Sequence, residues 1–327
     1  MEFGIQLWNM EPAQFRATAQ TIEGLGFDLV AFPDHIVLEQ PERQYDPHGL
    51  AYDAIVIAAA VIEATKKIRV GHLVLCNLFR HPVITAQSLT TLDHLSGGRL
   101  MAGLGSGWTE TEFKMTGIPF PPITERLRML DEGLTCIRSL WANEKTTFNG
   151  EFYKLTDAIL WPKPIQKPRP PIIVGGSGKG LLRIAAKHAD YINIILDAGK
   201  VGHISLAELK RLTDESYRAK IDFVREEAKR VGRAADAVKI SSAIFTSTIT
   251  DSREATRKTA EAMAPMFGQT PERLLQSPMG LIGTPEECIV ELKRRIKSWG
   301  LSQIIFSGMG TDEAAYRRLW EKVLMHV

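Results

Sequence analysis

Cysteine is scarce in this chain. Cys76, Cys136 and Cys288 are the only three in 327 residues, and they stand far apart. An odd number at such spacing gives neither a disulfide framework nor the paired motifs of a zinc or redox site, and it fits a reducing cytoplasm. A surplus of one charge is missing too. Forty Lys and Arg against 38 Asp and Glu leave a formal net charge of +2. That is too balanced to advertise nucleic acid or an acidic membrane as partner. Long hydrophobic runs are absent, and Ala54 to Ile62 falls well short of a membrane span. The opening "MEFGIQLW" reads as a strand with no basic n-region or cleavage site, so no targeting signal is expected. No two histidines or carboxylates have metal-site spacing, and no metal is expected. Neither an internal repeat nor a composition break marks a domain boundary, which predicts one domain over 1–327.

What is present is a full core and a regular rhythm. Hydrophobic residues make up 44% of the chain and charged residues 24%, as in a globular protein with a sizeable interior. Short apolar runs predict strands at about 3–8, 28–32, 68–75, 99–104, 171–175, 190–195, 238–246 and 302–307. Amphipathic segments between them predict helices at about 11–24, 51–65, 82–95, 123–141, 178–187, 206–231, 252–263 and 284–299, with a last one at 312–325. Strand–helix units repeated about eight times mean parallel strands with right-handed crossovers, and favour a closed (β/α)8 TIM barrel. Thr284-Pro285-Glu286-Glu287 supports the phasing: an N-cap, a proline at the first helical position, then acids in the first turn. Three connections are longer than needed. They are 34–50, 143–170 with a hairpin expected to turn at Asn149-Gly150, and 264–283. In a barrel, insertion loops after strands gather on the reactive face.

Three stretches carry candidate chemistry. In "VAFPDHI" an apolar strand ends in Asp34 and His35. An imidazole titrating near neutrality can exchange a proton with a reacting group, and a neighbouring carboxylate can set its tautomer. An N-cap by Asp34 beside a solvent-exposed His35 is the structural alternative, and position alone does not separate the two. In "SGGRLMAGLGSGWTETEF" the run Gly103 to Gly107 offers a loop of little bulk, but Trp108 replaces the third glycine of a dinucleotide fingerprint. In "PPIIVGGSGKG" a strand runs through Gly175, Gly176 and Ser177 into a helix N-terminus, whose amides suit a phosphate. Lys163, Lys167, Arg169, Lys179 and Arg183 surround it with no acid from Trp161 to Arg183, which predicts a basic rim. Trp8, Asn77 and Phe79 follow strand ends, Asn193 lies within one, and each lines the mouth or packs. Cys76 has no evident base and reads as a small buried residue. His72 and His94 read as core or surface.

Together these residues resemble the bacterial-luciferase-like superfamily of flavin and deazaflavin enzymes. The marks run in family order: "GFDLVAFPDH", "RHPVITAQSLTTLDHLSGGRLMAGLGSGW", "GIPFPPITERLRMLDEGLTCIRSLW", "GEFYKL", "PKPIQKPRPPIIVGGSG", "HADYIN" and "GTPEECIVEL". The pattern is most similar to the coenzyme F420-dependent oxidoreductases. The resemblance implies hydride transfer between a deazaflavin at the barrel mouth and a small organic substrate, in a cytoplasmic homodimer. It places His35 near the reactive carbon of the ring, with Asp34 beside it. Leu73, Val74, Leu75 and Cys76 would form a bulge with a non-proline cis peptide against the ring, and Trp8 and Asn77, from their strand-end positions, are further cofactor-binding candidates. Gly107-Trp108 and Gly175-Gly176-Ser177 would hold the ribityl-phosphate side. Phe32-Pro33 departs from the family, where many members carry a serine directly before Asp-His. An FMN-dependent monooxygenase using reduced flavin and O2 is the alternative on the same barrel, and a non-catalytic flavin-binding protein is another.

Overall fold

The computed structural model describes residues 1–40, 44–195 and 205–327. Eight parallel strands close into the expected (β/α)8 barrel. They are β1 (Glu2–Gln6), β2 (Leu29–Phe32), β3 (Arg69–His72), β4 (Leu100–Gly105), β5 (Ile172–Gly175), β6 (Tyr191–Ile194), β7 (Lys239–Ile244) and β8 (Leu301–Ser307). Each pairs with the next in sequence, and β8 returns to β1 with Gln303 opposite Glu2. Around them stand α1 (Pro12–Leu25), α2 (Ala54–Ala64), α3 (Pro82–Leu95), α4 (Ile123–Ala142), α5 (Lys179–His188), α6 (Asp214–Arg230), α7 (Arg253–Met263), α8 (Pro285–Trp299) and α9 (Glu313–Lys322). No helix among the described residues is long and apolar enough to cross a membrane.

The pattern of the sequence explains these elements. A strand covered on both faces has no solvent side, so every residue of Leu29–Phe32 and of Leu100–Gly105 is buried. Residues of one phase, such as Ile5, Val30 and Val70, pack outward against the helices. Those of the other phase, Leu29, Ala31, Met101, Ile173, Tyr191 and Ile305, fill the barrel with Leu73. Each such side chain contributes about 1.5–3 kcal/mol by leaving water. Helix ends follow local signals. Thr284 and Glu287 form a capping box before α8, and Gly300 ends it in the left-handed conformation at φ 64°.

Several boundaries differ from expectation, each for a tertiary reason. The strand expected over 68–75 is broken. β3 stops at His72, and Leu75–Cys76 then pairs with Leu104–Gly105 of β4. Between the two pieces the Leu73–Val74 peptide is cis, where the resemblance placed it. The strand expected to end at 246 ends at Ile244, and Thr246–Ile249 pairs in parallel with Gly280–Gly283, inside the expected loop 264–283. The helix expected over 206–231 is two, Leu206–Arg211 and α6, because Thr213 caps the second through the Ser216 amide. The helix expected to 325 stops at Lys322, and a 3-10 turn follows at Leu324–His326. The hairpin of Thr146–Asn149 with Lys154–Ala158 turns at Gly150–Tyr153, where the Gly150 amide donates to the Tyr153 carbonyl at 2.9 Å. The Glu132 carboxylate holds that turn by accepting from the amides of Glu151, Phe152 and Tyr153. The 34–50 loop carries a short pair, Leu38–Gln40 with Gln44–Asp46, and its residues 41–43 lie outside the described residues.

Candidate active site at the barrel mouth

The C-terminal strand ends bring Trp8, Asp34, His35, the 73–77 bulge, Gly105 to Trp108 and Gly175 to Ser177 to one end of the barrel. Its floor is the cis bulge. A Cβ on Gly105 would come within 2.6 Å of the Val74 side chain, and one on Gly175 within 3.1 Å. The two glycines therefore make the room into which Val74 folds. The Leu73 carbonyl accepts from Gln6 Nε2 at 2.6 Å. Gln6 Oε1 accepts from Ser307 Oγ at 2.8 Å, and Ser307 Oγ accepts from Trp8 Nε1 at 3.2 Å. A relay from β1 and β8 thus holds the bulge in place. Sequence reasoning missed Gln6 and Ser307. The signal was available, since both are polar residues on the inward phase at strand ends.

Asp34 and His35 part company although they are adjacent. The Asp34 carboxylate takes both guanidinium nitrogens of Arg80, at 2.7 and 3.1 Å, and the Cys76 amide at 2.9 Å. Arg80 also donates to Asp53 at 2.7 Å. Burial alone would favour deprotonating Arg80, but the two carboxylates more than offset it and raise its pKa. Burial raises the pKa of Asp53, and the Arg80 bond with the Val56 and Ile55 amides reverses this and lowers it. Asp34 therefore ties β2 to the bulge. The carboxylate at His35 is another, Glu112, whose Oε1 lies 3.1 Å from Nδ1. Glu112 is 2% exposed and also accepts from the Ile36 and Val37 amides at 2.5 and 3.2 Å. It comes from the short helix Glu110–Thr116 after β4, in the "GWTETEF" stretch. Trp108 stands edge-on to the His35 ring, with centroids 5.4 Å apart.

The structure sorts the other predicted residues. Leu73 packs against the barrel interior and Val74 against Gly105 and Gly175, whereas Leu75 joins the outer core. The Cys76 thiol is raised to about 12 by burial, and it sits where a Cβ on Gly107 would strike it at 2.8 Å. It is a packed thiol with no role as a nucleophile. Asn77 turns away from the mouth: Nδ2 donates to the Tyr153 hydroxyl at 3.2 Å, and Oδ1 fills the space beside Gly133. Phe79 packs on Phe113. Gly107 takes φ 73°, and its carbonyl accepts from the buried Arg126. His72 is buried outside the barrel near α2, and His94 is exposed and contacts the Lys163 carbonyl. Among the described residues no group of three or more His, Cys, Asp or Glu could hold a metal.

The basic rim does not survive folding. Lys163, Lys167 and Arg169 precede β5, so they lie at the opposite end of the barrel from the mouth. There Lys163 donates to the Leu140 carbonyl, and Arg169 pairs with Asp190. Only Lys179 opens α5 at the mouth, and Arg183 lies a turn further down it. Both stand over the Phe223 ring, with Arg183 also 3.4 Å from Glu227 near the distal end of α6. The expected phosphate cradle, the turn from Gly175 to Ser177, lies at the mouth. Gly176 has φ 137°, where a Cβ would meet Leu181 at 2.9 Å. Ser177 Oγ is buried with no partner, and Gly178 caps α5 without a side-chain bond.

A model of the luciferase-like monooxygenases matches residues 3–303. The chain belongs to that family. An F420-dependent glucose-6-phosphate dehydrogenase from Amycolatopsis mediterranei (strain U-32) is 26% identical over 306 residues, 90% of this chain and 88% of the relative. An FMNH(2)-dependent dimethylsulfone monooxygenase from Pseudomonas putida is 29% identical over 213 residues, 65% of this chain and 53% of the relative. Among solved structures, a coenzyme F420 dependent tetrahydromethanopterin reductase from Methanopyrus kandleri has a TM-score of 0.77 at 20% identity, covering 99% of both chains. The long-chain alkane monooxygenase LadA has 0.79 at 15%, covering 98% of this chain and 89% of its own. At those identities the two structures speak for the fold alone.

This luciferase-like protein is therefore an oxidoreductase. Its mouth suits the flat ring and phosphate common to flavins and deazaflavins. Gly105 and Gly175 let Val74 fold close beneath the mouth, and the buried Ser177 hydroxyl has no hydrogen-bond partner at the start of a ten-residue helix, where an anion would give it one.

Proposed function

We propose that this chain binds coenzyme F420 and transfers a hydride between the deazaflavin ring and a small organic substrate. The observation that carries this reading is the likeness to an F420-dependent dehydrogenase over nine-tenths of the chain. When bound, the deazaflavin supplies the carbon that gives or takes the hydride. The chain's own residues do the rest. The Leu73–Val74 bulge, held by Gln6, Ser307 and Trp8, supports and orients the ring. Ser177 and the first amides of α5 hold the phosphate. Glu112 engages His35 at Nδ1 and orients the ring, and His35 exchanges a proton with the substrate. Asp34 acts at one remove, by keeping the bulge and the strand end together through Arg80.

The FMN reading keeps its place because of the Pseudomonas putida relative. It gains some ground from the fold, since F420 carries an acidic tail and three of the five cations of the expected basic rim are at the opposite end of the barrel. Titration with each cofactor decides between them. We expect F420 to bind at micromolar concentration or tighter and FMN much more weakly. FMN binding tighter than F420 moves the protein to the monooxygenases.

A further inference from the structure

A row of polar residues crosses the inside of the barrel and stops one bond short of completion. Asn193 is the last inward-facing residue of β6, two positions after Tyr191, which fills the barrel. Its register partners are Ser241 on β7 and Gly175 on β5. Ser241 pairs in turn with Gln303 of β8, and Gln303 with Glu2 of β1. The strands of a barrel are staggered, so this one row climbs from the first residue of β1 to the last of β5, at the mouth.

The direction of its hydrogen bonds is set from the lower end. The Glu2 carboxylate, paired with Arg69 at 2.6 Å, can only accept, so Gln303 presents Nε2 to it at 2.9 Å. Gln303 therefore turns Oε1 to Ser241, whose hydroxyl donates at 2.8 Å. With that proton engaged, the Ser241 oxygen accepts from Asn193 Nδ2 at 2.8 Å. The upper end of the row is then an acceptor, Asn193 Oδ1, which is buried and has no partner among the described residues. Nδ2 points toward β7, so Oδ1 is turned to the β5 side. There Gly175 supplies no side chain, and a Cβ on it would lie 3.1 Å from Val74 of the bulge. An amide that already donates down a chain ending in an anion is a strengthened acceptor. The Gly176 amide donates to the Asn193 backbone carbonyl at 3.0 Å, which fixes this acceptor to the Gly175–Ser177 turn.

We propose that Asn193 Oδ1 accepts a hydrogen bond from the imide N–H of the bound ring, the one between the two carbonyls of its pyrimidine edge. A carbonyl or a fully ionised phosphate has no proton to offer and cannot complete the row. The inference rests on the proposed function in taking the mouth for a ring site. It holds for F420 and FMN alike, because both rings carry that N–H. The 3-methyl derivatives of F420 and FMN replace the N–H by a methyl group, and equilibrium dialysis gives the Kd of each parent and derivative. Wild type should bind the parent of its preferred ring about tenfold tighter than the derivative or better. Asn193→Ala should lose that preference and bind the two within about twofold of each other. Ser241→Ala, one step down the row, leaves the Asn193 amide free to turn and should reduce the preference in the same direction. Circular dichroism checks that each variant is folded, and Ser241→Ala carries the test if Asn193→Ala is not. Equal binding of parent and derivative by wild type overturns the inference, as does a preference that survives in both variants. FMN bound tighter than F420, with the preference still lost in the variants, keeps this role for Asn193 and overturns the cofactor reading. Binding of neither ring overturns both.

Discussion

The two ends of the barrel are built on opposite principles. At the end where strands begin, charge is paired and the loops are clasped. The Glu2 carboxylate accepts from Arg69, Tyr191 and Gln303, and Asp190 accepts from Arg169 and the Ile172 amide. Arg99 donates to the carbonyls of Ser96, Ile68, Ile62 and Thr65. At the end where strands finish, the chain makes long excursions, glycines thin the floor, and Ser177 Oγ and Asn193 Oδ1 are buried without partners. A buried polar atom left unmatched costs stability, and a barrel that satisfies one end so thoroughly leaves it unmatched at the other where a ligand can complete it. Stability is concentrated at the first end, and the second is the end at which barrels of this fold place their chemistry.

Substitutions at each end should break this comparison in different currencies. The largest effect belongs to His35→Ala, which should lower kcat by about 10²–10⁴ while cofactor Kd stays the same. Near-normal turnover would demote His35 to a rim residue. Next is Arg99→Leu at the other end, which should cost about 2–3 kcal/mol in chemical denaturation by stranding the loop carbonyls, with cofactor affinity unchanged. A loss of affinity there would mean the ends are not independent. Gly176→Val should weaken cofactor binding at least tenfold, about 1.4 kcal/mol, because its φ and the nearby Leu181 leave no room for a side chain. Unchanged affinity in a folded variant removes the 175–178 loop from the site.

The smallest expected effect is a slope. His72 is buried with neither ring nitrogen well bonded, and burial lowers its pKa from 6.5 to about 4, with the nearby Asp34 carboxylate opposing. As pH falls from 6.5 toward 4 the unfolded chain takes up a proton that the folded chain refuses. Stability should therefore be fully present above 6.5 and fall by up to about 1.4 kcal/mol per pH unit below it. His72→Phe should flatten that slope in denaturant titrations run across the window. A slope equal to wild type would show that His72 is protonated in the folded protein.

Legibility followed sequence distance. The barrel could be read because each strand–helix unit carries its own signals: an apolar run, a cap, a periodic helix. The turn at Gly175–Ser177 could be read for the same reason, being one strand end and one helix start in unbroken order. The break in β3 could not be read from periodicity, since Leu73 and Val74 are as apolar as any strand. Only the resemblance pointed to it. Thr246–Ile249 and Gly280–Gly283 escaped because four-residue strands that pair across 30-odd positions leave no local period to detect.

By itself, then, the sequence determined the barrel, the order of its parts and the end at which chemistry gathers, because hydrophobic period and turn chemistry act within about one element's length. Tertiary structure decided the partners. It gave His35 a carboxylate 77 positions away in place of the one beside it. It also sent Lys163 and Lys179, neighbours in one acid-free stretch, to opposite ends of the barrel. A strand of four residues separates them, and a strand's length in space is invisible to charge counted along a line.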